Sequence, residues 1–198
     1  VDGSNADKLI VAARTSGAAG DTAGISLFLV DPSAAGVEVE RTSMVDTRNA
    51  AIIRFDDVSV SSADLLGAEG EGFAALSATL DIANAYLAAE LLGIAQETFD
   101  CTLKYLKERK QFGVLIGSFQ SLQHRAAHWW SEVELCKSVV LKALQSLDEG
   151  DVKSPAMVSV AKAKLCEVAE LATNEAIQMH GGIGMTDEYE IGFFIKRA

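Results

Sequence analysis

Arg109-Lys110-Gln111-Phe112-Gly113, with Gln120 seven residues beyond Gly113, forms one half of a chemically suggestive pair. The other half is Gln178-Met179-His180-Gly181-Gly182-Ile183-Gly184. Each stretch joins the end of a long predicted helix to a glycine-containing turn. A guanidinium binds a phosphate bidentately, amide side chains add donors, and glycine lets backbone N–H groups approach an anion closely. Together the two stretches suit a phosphate-rich ligand held at the ends of helices.

The elements that must position these residues change character along the chain. Residues 1–66 carry short β-branched runs at Lys8–Arg14, Ile25–Val30, Val37–Arg41 and Ala51–Val58. Turn chemistry at Gly17–Asp21 and Asp31–Gly36 separates them. Val37 and Val39 alternate with Glu38 and Glu40, as in a strand wet on one face. From Gly67 onward the period is helical. One stripe (Phe73, Leu76, Leu80, Ala83, Leu87, Leu91, Ile94, Ala95, Phe99, Leu103 and Leu106) predicts a helix from Phe73 to Arg109. A second helix is expected to open on Ser118 as N-cap. A third opens at Ser154-Pro155, again with the serine as cap, and runs to His180. A fourth begins near Glu190. The fold class is therefore α+β: a partial β-barrel or sandwich over 1–66, then an antiparallel four-helix bundle over 67–198.

The formal net charge of −11 argues against a nucleic-acid partner and an anionic membrane. No apolar run is read as long enough to span a bilayer. Cys101, Cys136 and Cys166 fall on helix faces without metal spacing and are expected as reduced, buried thiols of a cytoplasmic protein. His124 and His128 stand four apart on one helix, but no third ligand accompanies them and Trp129-Trp130 favours packing, so no metal is expected. Gly181-Gly182-Ile183-Gly184 follows a helix rather than a strand, which sets it apart from a Rossmann fingerprint. The chain opens at Val1 without methionine and closes inside an expected helix, as a piece of something longer would.

Five short motifs in order carry a family likeness: Phe55-Asp56-Asp57-Val58, Leu66-Gly67, Gly70-Glu71-Gly72-Phe73, Tyr105 to Gly113, and His180 to Thr186. In this order the chain resembles the C-terminal half of the acyl-CoA dehydrogenases, which are flavoenzymes of fatty acid β-oxidation. The resemblance implies FAD as cofactor, with Arg109 on its pyrophosphate beside Lys110 and Gln111. Phe119 and Gln120 would lie along the adenosine side, and Gln178, Met179, His180, Gly181 and Gly182 would line the same dinucleotide, held chiefly by a neighbouring subunit.

It also implies an acyl-CoA substrate, an electron-transfer flavoprotein as acceptor, and a homodimer or homotetramer. The family's substrate-contacting Asp-x-x-Arg maps onto Asp81 to Asn84, so asparagine replaces the arginine. The family's usual catalytic glutamate, in a Glu-Gly-Thr motif, would fall after Ala198. The alternative position in the long helix is Ala83. Glu188 does not match a family base, and Glu90 is the weak remaining candidate, so the base is unassigned. A non-catalytic or half-site subunit of a heteromeric acyl-CoA dehydrogenase is the rival reading.

Overall fold

A computed structural model describes residues 2–46 and 48–198; Val1 and Thr47, both within the expected β-segment, lie outside them. The contacts divide the chain into two compact units, Val1–Thr79 and Leu80–Ala198.

In the first unit, β1 (Leu9–Arg14) pairs antiparallel with β2 (Ile25–Val30), from Leu9 opposite Val30 to Arg14 opposite Ile25. A separate hairpin joins β3 (Val37–Thr42) to β4 (Ala50–Phe55). The short β5 (Leu65–Leu66) completes the first sheet in the order β1-β2-β5. The expected half-barrel is thus two small antiparallel sheets. The alternation in β3 does not mark a covered face, since Val39 is exposed along with Glu38 and Glu40.

Helix α1 (Gly72–Glu108) begins in this unit because its first residue lies directly on β2. A Cβ at Gly72 would come within 2.8 Å of Leu27 Cγ, so only glycine fits there. The buried Ser26 Oγ accepts the Gly70 N–H at 2.8 Å, fixing the entry to the helix. The period therefore changes after Leu66, whereas the compact units part at Thr79.

The second unit holds the remainder of α1, a two-residue-strand hairpin β6 (Lys110–Gln111) and β7 (Val114–Leu115), α2 (Gln120–Asp148), α3 (Ser154–His180) and α4 (Ile191–Arg197). Its core gathers Ala85, Ala95 and Phe99 of α1, Trp129, Val133 and Cys136 of α2, Val158, Leu165 and Ala172 of α3, and Ile191 of α4. Phe99 meets Trp129 edge-on at 5.1 Å between ring centroids, the favourable arrangement for two ring quadrupoles. Ion pairs Arg125–Glu175 and Glu132–Lys164 tie α2 to α3 along their flanks.

Two expected caps are displaced. The Ser118 hydroxyl donates to the Leu115 carbonyl at 2.7 Å inside a 3₁₀ turn, leaving Phe119 at the N-cap of α2. Ser154 is already helical and donates to the Asp151 carbonyl, so Lys153 occupies the N-cap of α3. The stripe expected on α1 holds from Ile94 onward but fails before it: Leu80 and Leu87 are exposed, and Ala85 and Ala88 are buried in their place. On length and composition α1 could cross a membrane, its most apolar window having a mean hydropathy of 1.2, contrary to the expectation that no run is long enough. Alanine-rich helices that contribute to a bundle core reach such averages as well.

The cysteines divide three ways rather than all being buried: Cys136 is buried, Cys101 half-buried and Cys166 exposed, and all are free thiols. Burial, reinforced by Glu97, pushes the Cys101 thiol up to about 11, which keeps it protonated and unreactive.

Candidate functional site

The two glycine-containing stretches meet. Arg109, Gln111, Phe112 and Phe119 line one open pocket of about 350 Å³ with Gln178, Met179, His180, Gly181 and Gly182. Tyr105, Ile116 and Leu122 complete its wall.

Local sequence explains how each side arrives there. The N–H of Arg109 still bonds the Tyr105 carbonyl at 2.9 Å, so its side chain leaves from the last turn of α1. Its own carbonyl accepts the Ile116 N–H at 2.9 Å, closing the β6–β7 hairpin beneath it. Gln111 pairs with Val114, so the hairpin turns on Phe112-Gly113 alone. Both residues have positive φ, 54° and 79°, the requirement of a type I′ turn. Glycine accepts that geometry freely, whereas phenylalanine is strained by it. Phe112 is nevertheless 89% exposed, with only an edge contact to Phe119 at 6.3 Å. A strained aromatic held in water at the mouth of a pocket suits contact with a ligand or partner rather than with its own core.

The opposite side is set by the end of α3. Gly181 caps that helix at φ 65°, ψ −141°, a conformation open to glycine and few other residues. A Cβ added at Gly182 would meet nothing within 4 Å, so the backbone there faces open space. His180 is buried and stacks on Tyr105 at 4.3 Å, with Tyr189 at 4.9 Å. Its Nδ1 lies 2.7 Å from the Ala176 carbonyl oxygen, while Nε2 is buried and has no hydrogen-bond partner among the described residues. Burial holds its pKa below the ordinary value of 6.5.

The donor set fits an extended, phosphate-bearing ligand. Among the described residues the Arg109 guanidinium makes no ion pair or hydrogen bond, and α2 begins beside it with no side-chain cap on its first N–H groups. A free guanidinium and an open helix N-terminus both favour an anion. The phenylalanines, Ile116, Leu122 and Met179 supply an apolar wall against which a ring can lie.

Other expected residues fall elsewhere. Lys110 and Gln120 are exposed and outside the pocket wall. Asp81 and Asn84 are half-buried in the first half of α1, roughly 32–36 Å of helix axis from Tyr105. Glu90 is joined to Arg197 of α4, which gives its carboxylate a partner within the bundle. Glu188 is exposed in the turn before α4. His124 and His128 are exposed, and among the described residues no cluster of three or more His, Cys, Asp and Glu side chains is gathered. Sequence reasoning placed Tyr105 and Phe112 inside motifs without giving them a role, and missed Ile116, Leu122 and Tyr189 as framing residues. Tyr105 was accessible by spacing, because it precedes Arg109 by one helical turn and shares its face; Tyr189 offered no such signal.

Comparison with known proteins identifies the family. Residues 70–198 match the family described as acyl-CoA dehydrogenase, C-terminal domain. The short/branched chain specific acyl-CoA dehydrogenase of Bos taurus is 33% identical over 88% of this chain and 41% of its own length. The solved butyryl-CoA dehydrogenase of Megasphaera elsdenii superposes with a TM-score of 0.90 at 31% identity, covering 98% of this chain and 51% of that one. The FAD complex of PigA superposes with a TM-score of 0.91 at 28% identity, over 98% of this chain and 51% of that one. The chain therefore spans about half the length of the proteins it matches. By the match that runs from Gly70 to Ala198, the chain belongs to the acyl-CoA dehydrogenase family.

Proposed function

We propose that the protein to which this chain contributes is an FAD-dependent oxidoreductase that introduces an α,β double bond into an acyl-CoA thioester. The observation that carries this reading is the convergence of Arg109, Gln111, Gln178, Gly181 and Gly182 on one open pocket. The solved relative with FAD bound supports the cofactor, and the relatives named for acyl-CoA substrates support the reaction class. When bound, FAD supplies a two-electron acceptor for the hydride that leaves the acyl chain. This chain's part is to hold that cofactor. Arg109 and the N-terminus of α2 take the pyrophosphate, the open Gly181-Gly182 backbone takes a flanking polar edge, and Phe112 with Phe119 exclude water from one side. The electrons pass onward to an electron-transfer flavoprotein.

The 1–66 segment serves as the second half of a middle β-domain and 67–198 as a C-terminal bundle. Cofactor candidates stand at the end of α1 and substrate candidates Asp81 and Asn84 in its first half, so one extended ligand in the pocket cannot touch both sets within one copy. This separation favours a site completed by a second subunit, in a dimer or tetramer. Free thiols suit a cytoplasmic setting.

Purified intact protein should show a flavin absorption band that bleaches on mixing with a short acyl-CoA. A colourless protein that gains no colour with added FAD would remove this reading. A second reading is a half-site subunit of a heteromer. It is favoured by Asn84 where the family carries arginine and by Glu90 being tied to Arg197. It expects flavin binding without bleaching until a related second chain is added.

A further inference from the structure

We propose that His180 is a positioning residue: in its neutral form it locks the Gly181-Gly182 edge of the pocket, and a second proton unlocks it. This inference rests on the flavin reading for its ligand and on the geometry of the ring for its mechanism. The Ala176 carbonyl, 2.7 Å from Nδ1, can only accept, so Nδ1 carries the hydrogen. Nε2 is then a bare acceptor, buried and without a partner among the described residues. Protonating it would create both an unpartnered donor and a buried charge, which a folded interior resists strongly.

The groups around the ring offer that charge only partial relief: the Ala176 carbonyl at Nδ1 favours it, but burial of the ring outweighs that bond. Tyr105 of α1 covers one face at 4.3 Å and Tyr189 lies at 4.9 Å. Burial raises the Tyr189 phenol, so it stays neutral. Arg109, in the same pocket wall, is a like charge. Glu108, Glu190 and Cys101 act on Tyr189 from a distance, and none of them bonds Nε2. A proton on Nε2 is therefore accommodated by the ring leaving the Tyr105–Tyr189 slot for water. The backbone that follows is Gly181, whose N–H caps α3 through the Gln178 and Ile177 carbonyls. Movement of the ring thus disturbs the edge of the pocket that faces the ligand.

The sign follows from the depressed value of the folded form. The contribution of His180 to stability is fully present above the ordinary value of 6.5 and falls away as pH drops below it. Once the protonated state dominates, each further pH unit should weaken ligand binding by up to about tenfold, because only the neutral fraction is competent.

The test titrates the intact protein with FAD from about pH 8 to about pH 5, with the thermal midpoint of the FAD-free protein followed in parallel. Two variants accompany it. His180→Phe keeps an aromatic ring in the slot without nitrogens, and His180→Asn keeps an amide donor toward Ala176 but cannot be protonated. Expected is a steep acid loss of affinity and midpoint in the natural protein, flattened in whichever variant folds. Parallel curves in natural protein and variant, or a flat curve in the natural protein, would overturn the proposal. Failure of the natural protein to bind FAD at the alkaline end would instead overturn the cofactor reading, and the thermal midpoints would still decide the role of His180.

Discussion

The first half of α1 is the more apolar in sequence, and yet it is the second half that is buried. Toward its end Phe99 is only 6% exposed, wedged against Trp129, and Leu106 is buried nearby, lining a small cavity with Phe99, Trp129 and Met179. Toward its start Leu80 is 52% exposed and Tyr86 66%, with Ile82 and Leu87 also facing outward. The buried half fixes the backbone from which Tyr105 and Arg109 reach the pocket. The exposed half carries Asp81 and Asn84 on a helix whose apolar face is left uncovered by the described residues. A helix can thus announce that it will be covered without saying by what.

The largest expected effect tests the buried half. Phe99→Ala should destabilise the helical unit by about 3–5 kcal/mol, from lost transfer energy and the cavity left against Trp129. Denaturant unfolding would measure it, and a loss below about 1 kcal/mol would mean that this half is no better packed than the other. Next, Arg109→Ala should weaken FAD retention by about 1.5–3 kcal/mol, the range for a charged hydrogen bond. Unchanged flavin content after extensive dialysis would contradict its assignment to the pyrophosphate.

The paired glycines separate fold from ligand. Gly181→Ala should cost about 1–3 kcal/mol of stability through backbone strain alone, since nothing crowds its Cβ. Gly182→Ala should leave the unfolding midpoint nearly unchanged and still weaken FAD binding, because its Cβ would enter the space the ligand occupies. Equal effects of both variants on stability would show that the Gly182 backbone is not open. Smaller still, Glu188→Gln should leave turnover of the intact protein within a few-fold, against the 10²–10⁴-fold that removal of a general base costs. A loss of that larger size with flavin still bound would make this exposed turn the source of the base. The smallest effect belongs to the exposed half: Leu80→Ala in a dilute, dissociated preparation should change stability by no more than about 0.5 kcal/mol. The same substitution should matter more at concentrations where copies associate, as light scattering would show. A large loss in the dissociated protein would mean that the face is covered within one chain.

Legibility followed how local the determining physics was. The extent of α3, from Ser154 to His180, could be read directly, because the helix that forms there is buried at intervals along its whole length. The same periodicity misplaced the first half of α1, where small residues Ala85 and Ala88 took the buried positions. The caps failed for a related reason. Ser118 and Ser154 are good caps by type, yet each hydroxyl is consumed by a carbonyl three residues earlier. Both motifs of the pocket were visible as motifs, but their meeting was not, because roughly seventy residues of helix intervene.

What the sequence determined alone was whatever depends on near neighbours: the change from β to helical period, the glycine-containing turns after Gln111 and His180, and the donor types that favour a phosphate-bearing ligand. The tertiary structure decided what depends on distant partners. It chose which apolar face is covered, tied Glu90 to Arg197, and closed His180 between Tyr105 and Tyr189 with one nitrogen left unpartnered by the described residues. Backbone conformation and hydrogen-bonding type are properties of a residue and its immediate successors, whereas burial and pairing are properties of whatever the fold brings alongside.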